Sequence, residues 1–158
     1  MFNRWFGLVV WIALCFMAAG LGSMFTSSSL GEWYRALRKP SWTPPDWVFG
    51  PVWTVLYLSM GVAAWMVWSR KGVLGAALPL ALFLIQLALN AAWSWFFFGQ
   101  RMIGAAFAEI VLLWGAILAT IIAFWRVVPA AGGLMVPYLL WVTFATVLNF
   151  AIWRMNAS

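Results

Sequence analysis

The stretch KPSWTPPDWVFGPVWTVLY, residues 39–57, lies where an apolar segment begins, and it contains four prolines and three tryptophans. Proline fixes the backbone dihedral φ and donates no N–H, so these prolines predict a stiff, extended approach to a helix. Trp42 and Trp47 suit headgroup depth, where an aromatic ring with one polar edge is favoured. The stretch therefore predicts a shaped loop that leads into a membrane span.

The composition excludes the water-soluble globular class. Of the 158 residues, 66% are hydrophobic and only 8% are charged, and the mean hydropathy is +0.98; such values are typical of membrane proteins. Five apolar stretches are each about as long as the ~20 residues that a helix needs to cross a bilayer. They are apolar all round, whereas β-barrel strands alternate. We therefore predict an all-α integral membrane protein, a five transmembrane helix bundle with helices at about 5–25, 48–68, 73–98, 102–125 and 129–153.

The spans and their short connections fill residues 1–158, which predicts a single domain. Asn3 and Arg4 before the first apolar run resemble a secretory signal, but the run is longer than a typical signal core, so we predict a first helix. One connection, about residues 26–47, is long, and connections of this length are usually functional or disordered. Its aromatic residues favour an ordered loop.

The charge pattern indicates contact with lipid. The net charge is +6, but the basic residues lie at the ends of the spans, where they favour anionic lipid surfaces, and nucleic-acid binding has no support. Basic residues are almost equally divided between the two sides, so they do not decide the orientation. Cys15 is interpreted as a small buried apolar residue. Without histidine or clustered carboxylates, no protein-ligated metal is expected.

Three predicted helices each carry a stripe of aromatic rings interrupted by an amide or a hydroxyl. One interpretation is helix packing, because Asn and Gln join helices by hydrogen bonds in membranes. The other is the wall of a cavity for a large, mostly apolar ligand, which the three stripes together favour. The stripes are Trp53 and Tyr57; Gln86, Asn90, Trp93 and Phe97; and Tyr138, Trp141, Ala145 and Asn149.

Glu109 lies inside the predicted fourth span, where a carboxylate is a functional candidate by default. It could relay protons, or it could reach the membrane face or pair with Arg101. Small residues four apart permit close helix approach and self-association, and such pairs occur at Ala88 and Ala92 and at Gly104 and Ala108.

Three segments resemble the TspO/MBR family, the tryptophan-rich sensory and translocator proteins. They are WTPPDWVFGPVWTVLY (residues 42–57), LNAAWSWFFFG (89–99) and VPYLLWVTFATVLNF (136–150), and the resemblance extends through the chain to the EWY of residues 32–34. It implies a five-helix membrane bundle, usually a homodimer, with a pocket among the helices under a lid formed by the first loop.

The resemblance also implies ligands. Family members bind porphyrins such as protoporphyrin IX, and eukaryotic members bind cholesterol and benzodiazepine- or isoquinoline-type drugs. Phe150 stands where the family's sterol-recognition pattern has a tyrosine, which disfavours cholesterol. Motif match and stripes together predict these ligand-binding residues: Tyr34, Trp42, Trp53, Tyr57, Gln86, Asn90, Trp93, Phe97, Tyr138, Trp141, Ala145 and Asn149.

For a porphyrin, we expect the flat ring to stack on Trp53 and Trp141, with its propionates near Arg35, Arg38 and Lys39. Metal-free porphyrin suits a chain without histidine better than haem does, and no cofactor is required. The predicted function is a porphyrin receptor or carrier with a role in tetrapyrrole or stress regulation, in a bacterial cell membrane.

Two other functions stay open. Some bacterial members of the family are proposed to degrade porphyrin in light, which would make Trp53 and Trp141 candidate catalytic residues. No conventional acid–base pair or nucleophile is visible, so such an activity would depend on the chemistry of the photosensitiser. The third alternative is a small proton-coupled exporter, for which Glu109 would be essential.

Overall fold

The computed structural model describes residues 3–27 and 32–157. These residues form helices and connections, without a strand in the part described. The elements are α1 (Arg4–Ser27), α2 (Glu32–Ala36), α3 (Asp46–Gly75), α4 (Ala77–Ser94), a π-helical turn (Trp95–Gly99), α5 (Ile103–Val127), α6 (Pro129–Leu134) and α7 (Val136–Asn156).

Five helical segments are long and apolar enough to cross a membrane. They are Arg4–Thr26, Asp46–Gly75, Ala77–Gly99, Ile103–Val127 and Pro129–Asn156. At about 1.5 Å per residue, each exceeds the ~30 Å of a bilayer's hydrocarbon core. The predicted all-α membrane bundle is therefore confirmed.

Three predicted limits of the spans differ from the structure, and one is the start of the third span, which was expected near residue 73, whereas α4 begins at Ala77. The second span was expected to end near residue 68, but α3 continues to Gly75 with a kink at Gly72, whose φ of 72° and ψ of 176° suit only glycine. The last span is divided into α6 and α7 at Met135, and Pro137 lies in the first turn of α7, where its missing N–H has no intrahelical partner to lose. Charges and hydropathy alone reveal neither break.

Close backbone contact joins α1 to α3 at the end of the bundle away from the long loop. A Cβ placed on Gly61 would lie 2.9 Å from the Cα of Ile12, and one on Gly7 would overlap the ring of Trp68. At Gly61, glycine lets the backbones of α1 and α3 approach closely, and at Gly7 it makes room for the indole ring of Trp68. Cys15, on the same part of α1, is fully buried as predicted.

The long connection is packed against the ends of the helices. Tyr34 is only 4% exposed, and the ring of Trp33 meets Phe97 and Phe98 at centroid distances of 5.7 and 6.3 Å. The side chain of Asn156, at the end of α7, accepts a hydrogen bond from the Arg38 N–H (3.0 Å) and donates one to the Arg38 carbonyl (2.9 Å). These contacts agree with the expectation of an ordered loop, which stays a prediction, and residues 28–31 of the predicted loop lie outside the described residues.

Of the predicted small-residue pairs, Gly104 has a role within the chain. A Cβ on Gly104 would lie 2.8 Å from Nε1 of Trp153 on α7. This glycine therefore makes room for an indole ring of the same chain. Self-association through either pair stays a prediction.

We expect Gly61→Val to destabilise the protein by about 1–3 kcal/mol, because the added side chain must displace the backbone of α1. Gly115→Val is the matched control, since a Cβ at this helical glycine meets nothing within 4 Å. The measurement is the thermal midpoint in detergent, followed by circular dichroism. Equal midpoints for the two variants would contradict the close α1–α3 contact.

Candidate functional site

A cavity of about 720 Å³ lies among α1, α3, α4 and α7, beneath the long connection. Its volume falls within the range of about 300–1,000 Å³ that is usual for small-molecule sites. Ten aromatic residues line it: Phe16, Tyr34, Trp47, Phe49, Trp53, Tyr57, Trp93, Phe97, Phe98 and Trp141.

Nine of the twelve residues predicted to bind a ligand line this cavity. They come from α2, α3, α4 with its π-helical turn, and α7, so one site collects all three predicted stripes and the first connection. The nine are Tyr34, Trp53, Tyr57, Asn90, Trp93, Phe97, Trp141, Ala145 and Asn149. That they bind a ligand stays a prediction.

The other three lie elsewhere. Trp42 is 49% exposed, and its ring packs against Phe144 at 5.7 Å. Gln86 and Tyr138 are completely buried. They continue their helical stripes one turn beyond the cavity, where the helices close and the side chains hydrogen-bond to each other. The stripes identified the correct helix faces but extend further than the cavity.

Gln86 and Tyr138 belong to a buried hydrogen-bond chain that joins α3, α4 and α7. The Tyr57 hydroxyl donates to Oδ1 of Asn90, and Nδ2 of Asn90 donates to the Tyr138 hydroxyl at 2.7 Å. The Tyr138 hydroxyl in turn donates to Oε1 of Gln86 at 2.8 Å, and Nε2 of Gln86 lies 3.8 Å from the sulfur of Met60. Because Tyr57 and Asn90 also line the cavity, this chain forms its floor.

Asn149 makes a second cross-link at the other end of the cavity. Its Oδ1 accepts a hydrogen bond from Nε1 of Trp93 at 2.9 Å, and its Nδ2 donates to the carbonyl oxygen of Ile103 at 3.0 Å. These bonds connect α4, α5 and α7. The packing and cavity interpretations of the stripes are therefore compatible, because the same amide joins helices by hydrogen bonds and also lines the cavity.

Trp53 and Trp141 meet edge to face. Their ring centroids are 6.4 Å apart and their planes are inclined by 87°, whereas Trp53 and Tyr57 are inclined by only 31°. A planar ligand in this arrangement can stack on one of the two indoles and must meet the other with its edge. The expectation that a porphyrin stacks on both is therefore wrong for this geometry.

The wall of the cavity contributed by α1 was not predicted from the sequence. Ala19, Gly20, Ser23 and Thr26 line the cavity, and their spacing places small or weakly polar side chains on one helical face. This face of small residues could have indicated the α1 wall in the sequence, but small residues are common in membrane helices and therefore indicate little by themselves.

Phe98 was missed for a different reason. In the π-helical turn, the Gln100 N–H donates to the Trp95 carbonyl, five residues back, at 2.7 Å. The extra residue per turn brings the consecutive residues Phe97 and Phe98 to the inside, which the 3.6-residue periodicity does not predict.

Asp46 is the only residue with a formal charge among the described residues that line the cavity. It begins α3 at the cavity mouth, after Pro45 with an extended φ of −60° and ψ of 149°. Burial, and secondarily the negative charge of Asp46, raise the pKa of Tyr34 to about 12. Tyr34 therefore remains a neutral hydrogen-bonding group at ordinary pH.

The three lid cations predicted to bind propionates do not line the cavity. Lys39 donates from Nζ to the carbonyl oxygen of Tyr34 at 2.7 Å, and Nζ lies 4.5 Å from the centre of the Tyr34 ring. Arg35 and Arg38 are exposed. A ligand carboxylate would have to leave the cavity to reach them.

Glu109 is only 6% exposed, on the face of α5 that is turned into the bundle. Both carboxylate oxygens are buried, and neither has a hydrogen-bond partner in the part of the chain that the structure describes. The guanidinium of Arg101 lies instead over the ring of Trp33, at 5.5 Å. The interpretations as an ion pair with Arg101 and as a side chain that reaches the membrane face are therefore wrong.

The fold and site define a multi-pass integral membrane protein with an aromatic cavity inside its helical bundle. The model of the TspO/MBR family matches residues 11–154, and the chain belongs to this family.

Individual relatives agree with this assignment. The chain is 46% identical to the Translocator protein of Homo sapiens over 138 residues, which cover 86% of this chain and 82% of the relative. It is 45% identical to the Tryptophan-rich protein TspO of Chlorobaculum tepidum over 153 residues (94% and 95%). It is 40% identical to Protein CrtK of Rhodobacter capsulatus over 152 residues (93% and 91%).

We expect Tyr138→Phe to lower the free energy of unfolding by about 1–3 kcal/mol, because it leaves Asn90 Nδ2 without its acceptor and Gln86 Oε1 without its donor. Tyr57→Phe removes only the donor to Asn90 and should cost less. Thermal unfolding of both variants in detergent is the measurement. A larger loss for Tyr57→Phe would contradict the central place of Tyr138.

Replacing Glu109 with leucine should leave the thermal midpoint unchanged or raise it, because an apolar side chain of similar shape removes a buried group without a partner. The control is Asn149→Leu, which should lower the midpoint because Trp93 Nε1 and the Ile103 carbonyl lose their partners. Ligand efflux from proteoliposomes under a pH gradient completes the test. Loss of gradient-driven efflux in Glu109→Leu would support the exporter.

Proposed function

We propose that the protein is a membrane receptor or carrier that binds tetrapyrroles of the protoporphyrin IX type in its aromatic cavity. The observation that carries this proposal is a cavity between transmembrane helices lined by ten aromatic rings and a few polar groups, of which Asp46 at the mouth is the charged one among the described residues. Such a lining suits a flat, mostly apolar ligand, because stacked and edge-to-face ring contacts are each worth about 0.5–1.5 kcal/mol beyond the buried area.

The proposed binding mode follows the inclination of the two indoles. The macrocycle stacks on one of Trp53 and Trp141 and presents its edge to the other. Nε1 of Trp141 is buried without a hydrogen-bond partner among the described residues, and such a donor costs about 1–3 kcal/mol. A ligand acceptor would remove this cost only if the indole turned, because Nε1 has no surface open to the cavity in this structure.

The ends of the cavity differ in polarity. The floor is formed by Tyr57 and Asn90, which are already hydrogen-bonded within the protein. Propionate groups would therefore point towards the mouth, where water and the exposed Arg35 and Arg38 are accessible. We propose a bacterial cell membrane as the location and a homodimer as the assembly.

Light-dependent degradation of the bound porphyrin is the second candidate function. It is favoured by the direct contact of oxidisable rings beside the cavity: Trp53 meets Trp141 at 6.4 Å, Tyr57 at 5.6 Å and Tyr138 at 6.2 Å. An electron taken from one ring by the photoexcited porphyrin would be replaced by an electron from a neighbouring ring. This activity would add a product to the same binding site.

The test is a titration of the detergent-solubilised protein with protoporphyrin IX in darkness, followed by tryptophan fluorescence. We expect Trp53→Phe and Trp141→Phe each to weaken binding about 2–10-fold, as the loss of one ring contact implies. Trp125→Phe is the matched control, because Trp125 is exposed and does not line this cavity. Equal losses in all three variants would contradict the site.

Illumination of the saturated complex then separates the two functions. A receptor or carrier releases the same porphyrin that it bound, with an unchanged absorption spectrum. A degrading enzyme produces a new absorbing species at a rate that falls in Trp53→Phe or Trp141→Phe and not in Trp125→Phe.

A further inference from the structure

The cavity mouth combines one negative charge with several aromatic rings. Asp46 lies there in the first turn of α3, followed by Trp47, which is 74% exposed, and by Phe49. Tyr34 of α2 completes this part of the lining, and its pKa responds to the charge of Asp46, so the two side chains are electrostatically coupled. A carboxylate among aromatic faces is an arrangement that attracts organic cations.

No cationic side chain balances Asp46 within the described lining of the cavity. Residues 28–31, which the structure does not describe, are Ser, Ser, Leu and Gly, so they contribute no charged side chain. The ammonium of Lys39 is held by the carbonyl oxygens of Tyr34 and Leu37 and by the face of the Tyr34 ring. Among the described residues, Asp46 is therefore the charged group in the cavity lining itself, whereas Arg35, Arg38 and Lys39 lie outside that lining.

We propose that Asp46 is a specificity-determining residue that selects flat aromatic amphiphiles by the charge of the group at the cavity mouth. Neutral or cationic groups are favoured there, and carboxylates are disfavoured. The inference rests on the proposed function, because it takes the tetrapyrrole cavity as the binding site. Among tetrapyrroles, it favours those with few carboxylates, whose charged groups can extend past Asp46 to Arg35 and Arg38.

The magnitude follows from the exposure of Asp46. Asp46 is exposed, and the positive end of α3 offsets part of its field. Its interaction with a unit charge about 4 Å away is therefore close to the value in water, about 1 kcal/mol, which corresponds to an about fivefold change in affinity for each sign of ligand charge.

The experiment uses three porphyrins with the same macrocycle: protoporphyrin IX with its two propionates, its neutral dimethyl ester, and a diamide that carries protonated amines. Each is titrated in darkness against the full chain, Asp46→Asn and Glu32→Gln. Glu32 is the matched control, because it is an exposed acid of the same connection that does not line the cavity.

We expect Asp46→Asn to strengthen binding of the dipropionate about fivefold, to weaken binding of the cationic diamide about fivefold, and to leave the ester unchanged. Glu32→Gln should change none of the three. Raising the salt concentration should reduce the differences for the full chain and not for Asp46→Asn, because exposed charges are screened over ~8 Å at physiological ionic strength. A merely structural role of Asp46 would move all three affinities together.

A separate measurement does not depend on porphyrin binding. Iodide and caesium ions quench exposed tryptophans such as Trp47, and we expect Asp46→Asn to increase quenching by iodide and to decrease quenching by caesium. If no porphyrin binds while this shift occurs, the proposed function fails and the charge at the mouth stands. If the ratio of dipropionate to diamide affinity is the same for the full chain and Asp46→Asn, or if quenching is unchanged where no porphyrin binds, the proposal is overturned.

Discussion

The hydrogen-bond chain from Tyr57 through Asn90 and Tyr138 to Gln86 is the constraint on which the bundle depends. Between apolar helices in a bilayer, the hydrophobic effect distinguishes poorly between one packing and another, because lipid tails are as apolar as the helix faces. Directed bonds between buried polar groups do distinguish them, since any other rotation of α3, α4 or α7 leaves donors and acceptors without partners. These hydrogen bonds therefore set how the three helices are rotated relative to one another.

The cavity is a consequence of that arrangement. Beyond the hydrogen-bonded polar groups, the aromatic rings on the inner faces of the helices leave part of the space between the helices unfilled. Trp53 and Trp141 meet there edge to face instead of stacking. Asn149 holds the opposite end by joining Trp93 to α5. The site is thus built between two sets of hydrogen bonds, which hold its walls without a ligand.

The connection between α1 and α3 completes the site through both packing and charge. Trp33 and Tyr34 pack on the π-helical turn. The side chain of Asn156 hydrogen-bonds to both the N–H and the carbonyl oxygen of Arg38. The cations of this connection lie outside the cavity lining, so among the described residues Asp46 is the charged one that lines the cavity. Overall positive charge and local negative charge are compatible because they concern different surfaces.

The sequence by itself determined the class of fold, since a mean hydropathy of +0.98 and five apolar runs allow few structures other than a helical membrane bundle. It also identified Trp53, Asn90 and Trp141 as residues on the inward faces of their helices, because aromatic and amide residues at helical spacing indicate which face is turned inward. The tertiary structure decided where that face opens into a cavity, which left Gln86 and Tyr138 in the packed floor. It alone showed the α1 wall, the inward turn of Phe98 and, among the described residues, a Glu109 without a hydrogen-bond partner and an Asp46 without a cation beside it in the cavity lining. These features depend on helix rotation, a π-helical turn and contacts between residues distant in sequence, and no local periodicity encodes them.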